Sequence, residues 1–208
     1  MKKELENQLT ELKHKDDELI SVGRELLESF GITEFTLFCT AILNRTINLN
    51  RGFITLIEDS NYIAAAPLVR LNLDSLLRLF ASSQSEFDYE TFAYHVRSGN
   101  KISSMKDKSG KKQLRDSELV KRLKNINGFK WIEDIYDIGS GFVHLSNQHV
   151  LSSYRIEDAK MNFGIRKADE FISTNEKIAA TFYMTQTTIG LTVFITDWIS
   201  CMNKENNC

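Results

Sequence analysis

The sequence predicts a mainly α-helical protein, a bundle of long antiparallel helices that carries one small β-hairpin. Apolar residues recur every three to four positions through most of the chain, which is the spacing of one face of an α-helix. The period changes to two in a single segment, at about residues 149–166, as expected for a pair of β-strands. The chain of 208 residues has only one proline and ten glycines, too few for the many turns of an all-β fold.

A heptad seam near the N-terminus predicts the first helix, which we expect to end at Gly31. Its members alternate at intervals of four and three residues and comprise Leu5, Leu9, Leu12, Asp16, Leu19, Gly23, Leu26 and Phe30. We assign residues 1–31 to this helix and residues 32–208 to a helical domain. The seam fits either the first helix of the bundle or an arm that contacts a second chain. We expect the protein to be a homo-oligomer.

The hub of the bundle is predicted at Ala64–Ala81, where apolar side chains cover nearly the whole circumference of a helix. We expect this helix to be buried and to start or kink at Pro67. One narrow sector of it carries the charges of Arg70, Asp74 and Arg78. Because an unpaired buried charge is very costly, these side chains must find partners inside the protein.

Capping and turn signals define the remaining elements. The expected helix starts are Thr33, Ser85, Asp116 and Ser173, and the expected ends are Asp59, Gly99, Asn125–Gly128, Gly139–Gly141 and about Met202. Between two of these helices, Lys101–Arg115 carries six basic residues and one acid. We expect it to be a solvated loop or a small hairpin with few apolar anchors, and the most mobile internal segment of the chain. The alternative is a patch for phosphate or an acidic partner. Alternation from His149 onward, on both sides of a turn at Glu157–Ala159, predicts the hairpin.

Composition excludes several classes of protein. Cys39, Cys201 and Cys208 form no CxxC pair, so we expect neither a zinc site nor a disulfide framework, but reduced cysteines in a cytoplasmic protein. We expect no cofactor, because no glycine-rich loop of the nucleotide-binding type is present. The apolar segment Ile178–Met202 contains threonines, a glutamine and an aspartate, so we expect a buried core helix and no membrane span. The net charge of −2 gives no overall attraction to nucleic acid.

The charged stripe of the hub helix is the main candidate for a functional site. Asp74 and Arg78 have the favourable acid-first spacing of four residues on a helix. The stripe fits a structural salt-bridge ladder. It also fits two guanidinium groups, those of Arg70 and Arg78, that are held by one carboxylate and offered to a phosphate or carboxylate.

We predict that this stripe converges on one polar pocket with the segment at residues 139–149. Glycines in that segment allow its backbone to approach a helix closely. Its histidines, His144 and His149, could accept hydrogen bonds from guanidinium groups or act as acid and base near pH 7. They lie five residues apart, which is not the spacing of two ligands on one helical face, so we expect no metal site.

Three segments resemble a set of uncharacterised bacterial helical proteins. They are LVR-x-x-x-D-x-x-x-R at Leu68–Arg78, a KDKSGKK loop with a following helix start at Lys106–Asp116, and G-x-VHLS-x-x-H at Gly141–His149. The resemblance covers about residues 33–200, and such proteins are distantly similar to the HEPN superfamily of helical bundles, many of which are ribonucleases of defence and toxin systems. The HEPN signature places an arginine four to six residues before a histidine. No arginine here has that spacing, so no catalytic residue is carried over.

Two function classes remain open. The resemblance implies a helical module directed at RNA or a nucleotide. Its candidate catalytic residues come from the charged stripe and the 139–149 segment, not from the resemblance, and are Arg70, Asp74, Arg78, His144 and His149. The alternative is a non-catalytic oligomeric interaction or scaffold protein with a structural polar core. Arginines that line an open cleft favour the first class, and arginines engaged in ion pairs favour the second.

Overall fold

The predicted fold class is confirmed by a computed structural model, which is 71% helical and describes residues 1–205. Within that range there are eight α-helices and two antiparallel strands. The elements are α1 (Lys2–Phe30), α2 (Glu34–Glu58), α3 (Tyr62–Gln84), α4 (Tyr89–Arg97), α5 (Asp116–Leu123), α6 (Ile132–Val143), α7 (Asn147–Leu151), β1 (Tyr154–Glu157), β2 (Lys160–Phe163) and α8 (Thr174–Glu205). Cys208 lies outside the described residues.

The predicted hub is α3, which packs against α2, α8, α6, α5 and α4. Its leucines Leu73, Leu76 and Leu77 are completely buried. The helix starts at Tyr62, so Pro67 lies inside it and not at its first turn, contrary to one of the two predicted alternatives. The packing of α3 against five helices therefore outweighs the loss of one backbone hydrogen bond at the proline.

The N-terminal helix α1 lies within the bundle, against α8 and α2. Its seam residues Leu12, Leu19 and Leu26 are fully buried by this packing. At Gly23 a Cβ atom would lie 3.1 Å from Leu43 Cδ1, so the missing side chain lets α1 approach α2 closely. The seam is thus occupied inside the chain and is not free to contact a second chain. A homo-oligomer remains a prediction and requires another surface.

A buried network of side-chain hydrogen bonds links four helices, and the sequence analysis did not predict it. Asn50 Nδ2 donates to Asp16 Oδ1 at 3.2 Å, Asn50 Oδ1 accepts from Thr188 Oγ1 at 3.2 Å, and Asn72 Nδ2 donates to Thr188 Oγ1 at 3.3 Å. Burial raises the pKa of Asp16 above its usual value. The one local signal for this polar core was Asp16, which interrupts the leucine seam.

The segment Lys101–Arg115 forms a small hairpin-like loop, one of the predicted alternatives, in which Lys106 and Gln113 make an antiparallel bridge. The expectation that this segment has few apolar anchors is wrong. Ile102, Met105 and Leu114 are buried. The loop folds around Asp107, whose Oδ1 accepts from two backbone amides and from Ser109 Oγ. Its Oδ2 accepts from Arg122 Nη2 at 2.6 Å, and this contact lowers the pKa of Asp107 well below its usual value.

The hairpin forms inside the predicted range, but it begins later than expected. Residues 147–151 form α7 instead of a strand, because Ser146 caps a helical turn and its amide donates to His149 Nδ1. Asp158 and Ala159 both have positive φ, 49° and 57°, as in the two-residue turn that suits a twisted hairpin.

The last helix, α8, spans most of the C-terminal segment. By length and composition it could cross a membrane, but half of its most apolar window is buried inside the protein. Its start is stabilised by the predicted pair, since the Glu176 amide donates to Ser173 Oγ at 3.2 Å and Glu176 Oε2 accepts from Ser173 N at 2.7 Å.

Candidate functional site

The charged stripe of α3 belongs to a chain of alternating charges that we call the arginine–aspartate cluster, comprising Arg45, Arg70, Asp74, Arg78 and Asp116. Arg70 Nη2 donates to Asp116 Oδ2 at 2.8 Å, and Arg78 Nη2 donates to Asp116 Oδ1 at 2.7 Å. Arg78 Nη2 also lies 2.7 Å from Asp74 Oδ1, and Arg45 Nη1 donates to Asp74 Oδ2 at 3.2 Å. Three guanidinium groups and two carboxylates leave the cluster with one net positive charge.

Asp116 is the member that holds the cluster together. The sequence predicted that it caps α5, but it is the first residue of that helix, after Arg115, and its carboxylate is turned toward α3. Its two oxygens bind guanidinium groups that stand two helical turns apart on α3. A carboxylate in the first turn of a helix is also favoured by the helix dipole.

The guanidinium groups are largely engaged by the protein itself. Arg70 has a side chain only 13% exposed, and its guanidinium carbon lies 4.7 Å from the centre of the Tyr136 ring. Arg78 is 23% exposed, and its Nη1 is buried without a hydrogen-bond partner among residues 1–205. The cluster therefore resembles a structural ion-pair network more than an open anion-binding site.

The predicted approach of the Gly-Ser-Gly segment to the stripe occurs through one glycine. At Gly139 of α6 a Cβ atom would lie 2.9 Å from Arg70 Cβ, so a larger residue would push α6 away from α3. Ser140 and His144, together with Arg70 and Asp74, line a shallow depression of about 240 Å³. Ser140 Oγ itself donates to the Tyr136 carbonyl at 2.6 Å.

The two candidate histidines are separated by the structure. His144 is exposed at the end of α6 on the rim of the depression that Arg70 also lines, although no hydrogen bond joins the two in the described part of the chain. His149 lies elsewhere, with its ring 5.8 Å from that of Phe142 and its Nδ1 taken by the Ser146 amide. The predicted shared pocket thus includes His144 and not His149.

Metal ligands do not cluster in this region. No group of three or more histidine, cysteine or acidic side chains that could hold a metal ion is present in residues 1–205.

Comparison with known proteins identifies no relative. No family model matches the chain, and neither a curated protein nor a solved structure matches it.

Proposed function

We propose that this protein is a non-catalytic interaction module that self-associates through its β-hairpin. The observation that carries the proposal is a hairpin face on which three of four apolar side chains are exposed. Tyr154 pairs with Phe163, and Ile156 pairs with Met161, so the four side chains lie on one face. Ile156, Met161 and Phe163 are 62%, 57% and 72% exposed.

An uncovered apolar face of this kind is unfavourable in a free monomer. A two-stranded hairpin alone is marginally stable in water, and contiguous exposed apolar patches mark interaction surfaces. Ile165, two residues after β2, adds to the exposed apolar surface, since its side chain is fully accessible. By contrast, the arginines of the arginine–aspartate cluster are engaged by Asp74 and Asp116, which favours a structural role for that cluster.

The outer edge of β1 suits a second copy of the same strand. In a hairpin closed by a two-residue turn, Glu157 and Arg155 occupy hydrogen-bonded positions, so the backbone groups of Ile156 point outward. Antiparallel pairing about a twofold axis at Ile156 would place Arg155 of each strand opposite Glu157 of the other. These positions lie between the new hydrogen-bonded pairs, where facing side chains are closest and opposite charges attract. The two apolar faces would then join on one side of a four-stranded sheet.

The proposal is tested by exchanging the charges at positions 155 and 157 and measuring the mass of the protein by light scattering after size-exclusion chromatography. Arg155→Glu would set acids opposite each other at both contacts and should lower the measured mass. The double variant Arg155→Glu/Glu157→Arg restores opposite charges and should restore the mass. Lys167→Glu, at an exposed position outside the strands, is the matched control and should leave the mass unchanged. A wild-type chain that is monomeric at its highest soluble concentration would refute the proposal.

A second candidate function is the RNA- or nucleotide-directed activity implied by the HEPN resemblance. The specific observation in its favour is that His144 stands exposed beside Arg70 in one depression, next to a cluster with one net positive charge. Binding of a labelled single-stranded RNA, followed by fluorescence polarisation and by a cleavage gel, tests it. His144→Ala should abolish binding or cleavage with nearly unchanged melting, while His14→Ala on exposed α1 should have no effect. Failure of the wild-type protein to bind or cleave RNA would remove this candidate.

A further inference from the structure

A groove of about 230 Å³ lies between α6 and α8, with α3 as its floor. Small residues create the space, namely Ala66 on α3, Gly139 on α6, and Ala179 and Ala180 on α8. A cavity of about 150 Å³ is enough to hold benzene, so this groove can take an aromatic ring or a short alkyl chain. It belongs to neither the arginine–aspartate cluster nor the hairpin.

Aromatic rings form much of the wall. Tyr62 and Phe142 meet edge to face with ring centres 5.6 Å apart, and Tyr183 lines the opposite, α8 side. The Tyr62 ring is buried, yet its hydroxyl makes no hydrogen bond to any of residues 1–205. A phenol oxygen can accept as well as donate, so it is available to a polar hydrogen of a ligand.

The groove also contains one carboxylate without a cation. Glu176 Oε2 accepts from the amide and the hydroxyl of Ser173, both at 2.7 Å, but Glu176 forms no ion pair within the described residues. The nearest lysine in sequence, Lys177, is held by Asp169 at 2.9 Å. Burial raises the pKa of Tyr62 above its usual value, and the negative charges of Glu176 and Asp169 raise it further. The groove is thus a negative, aromatic-walled site.

We propose that this groove binds a small organic cation, an alkyl- or arylammonium whose apolar body fills the groove and whose charged nitrogen pairs with Glu176. The electron-rich faces of aromatic rings attract ammonium groups, and a carboxylate forms a charge-assisted hydrogen bond with them. The same carboxylate repels an anionic ligand of equal size. A neutral ligand would fill the space but form no ion pair with Glu176.

Isothermal titration calorimetry with three phenyl probes of different charge, and with butylammonium as an alkyl probe, tests the charge preference. 2-Phenylethylammonium should bind saturably with one site per chain. 2-Phenylethanol, which is neutral and of similar size, should bind about tenfold more weakly, the effect of losing one charge-assisted hydrogen bond. 3-Phenylpropionate should show no binding. Equal affinities for the ammonium and the alcohol would overturn the proposal, as would absence of saturable binding by both 2-phenylethylammonium and butylammonium.

Two variants locate the site. Glu176→Gln removes the charge and keeps an oxygen that can accept from Ser173, since glutamine also serves at this capping position. It should weaken 2-phenylethylammonium binding about tenfold with unchanged melting. Ala179→Trp, at an exposed position on the groove wall, should block all probes. Glu25→Gln, an exposed glutamate on α1, is the matched control. Binding that survives both groove variants would place the ligand elsewhere and overturn the proposal.

Discussion

Removal of the Asp116 side chain should reveal whether the arginine–aspartate cluster is structural. Asp116→Ala leaves Arg70 Nη2 without its carboxylate and takes one of two carboxylates from Arg78. The Arg70 side chain is only 13% exposed, so water replaces the lost contact poorly. Breaking a buried ion pair by removing one partner costs about 3–5 kcal/mol, and we expect a loss in the free energy of unfolding within that range.

Urea unfolding followed by circular dichroism at 222 nm measures this loss, with the slope of the transition as a check that the two states are unchanged. Asp74→Ala should cost less, because Arg78 keeps Asp116 and the released Arg45 is 40% exposed. Asp137→Ala, an exposed acid in the middle of α6, is the control and should change stability by less than about 0.5 kcal/mol.

A double-mutant cycle isolates the contact itself. If Arg70→Ala and Asp116→Ala act through their ion pair, the double variant should lose less stability than the sum of the two single variants. A loss below about 1 kcal/mol for Asp116→Ala, which is the level of an exposed ion pair, would refute the structural assignment. The free arginines would then favour the RNA- or nucleotide-directed candidate.

Three further predictions concern single positions. Arg122 lowers the folded-state pKa of Asp107, so this carboxylate stabilises the protein at pH values above its unfolded-state pKa, and the stabilisation is lost as the pH falls through the folded-state pKa. Asp107→Asn should therefore destabilise the protein at pH 7. It should also make the melting temperature fall less steeply as the pH is lowered. Gly139→Ala should cost about 1–3 kcal/mol in urea unfolding, since its Cβ would lie 2.9 Å from Arg70 Cβ, and a neutral result would mean that α6 can shift freely. Thr46→Val should raise the melting temperature, because the buried Thr46 Oγ1 has no hydrogen-bond partner among residues 1–205; a decrease would show that the hydroxyl has a partner in solution.

Local signals in the sequence were sufficient where neighbours along the chain make the structure. Thr33 caps α2 as predicted, with its Oγ1 accepting from the Thr36 amide at 3.2 Å. Gly31 follows α1 at the expected position with a φ of 66°, although its ψ of −153° lies outside the left-handed helical region expected of a glycine stop. The predicted start of the hairpin was wrong. Ser146 and His149 form a capping box that starts a helical turn, although apolar and polar residues alternate there as in a strand. Helix caps, helix ends and turns of this kind depend only on a few neighbouring residues and on backbone geometry.

The sequence by itself determined the helical class, the buried hub and the side chains that share one face of α3, because helical periodicity is set by the backbone. Only the tertiary structure decided which distant groups meet those faces. Asp116 reaches Arg70 across 46 positions, and the groove joins Tyr62 to Glu176 across more than half the chain. The leucine seam of α1 looks the same whether α8 or a second chain covers it. Contacts of this kind depend on the packing of whole helices, and no local pattern encodes them.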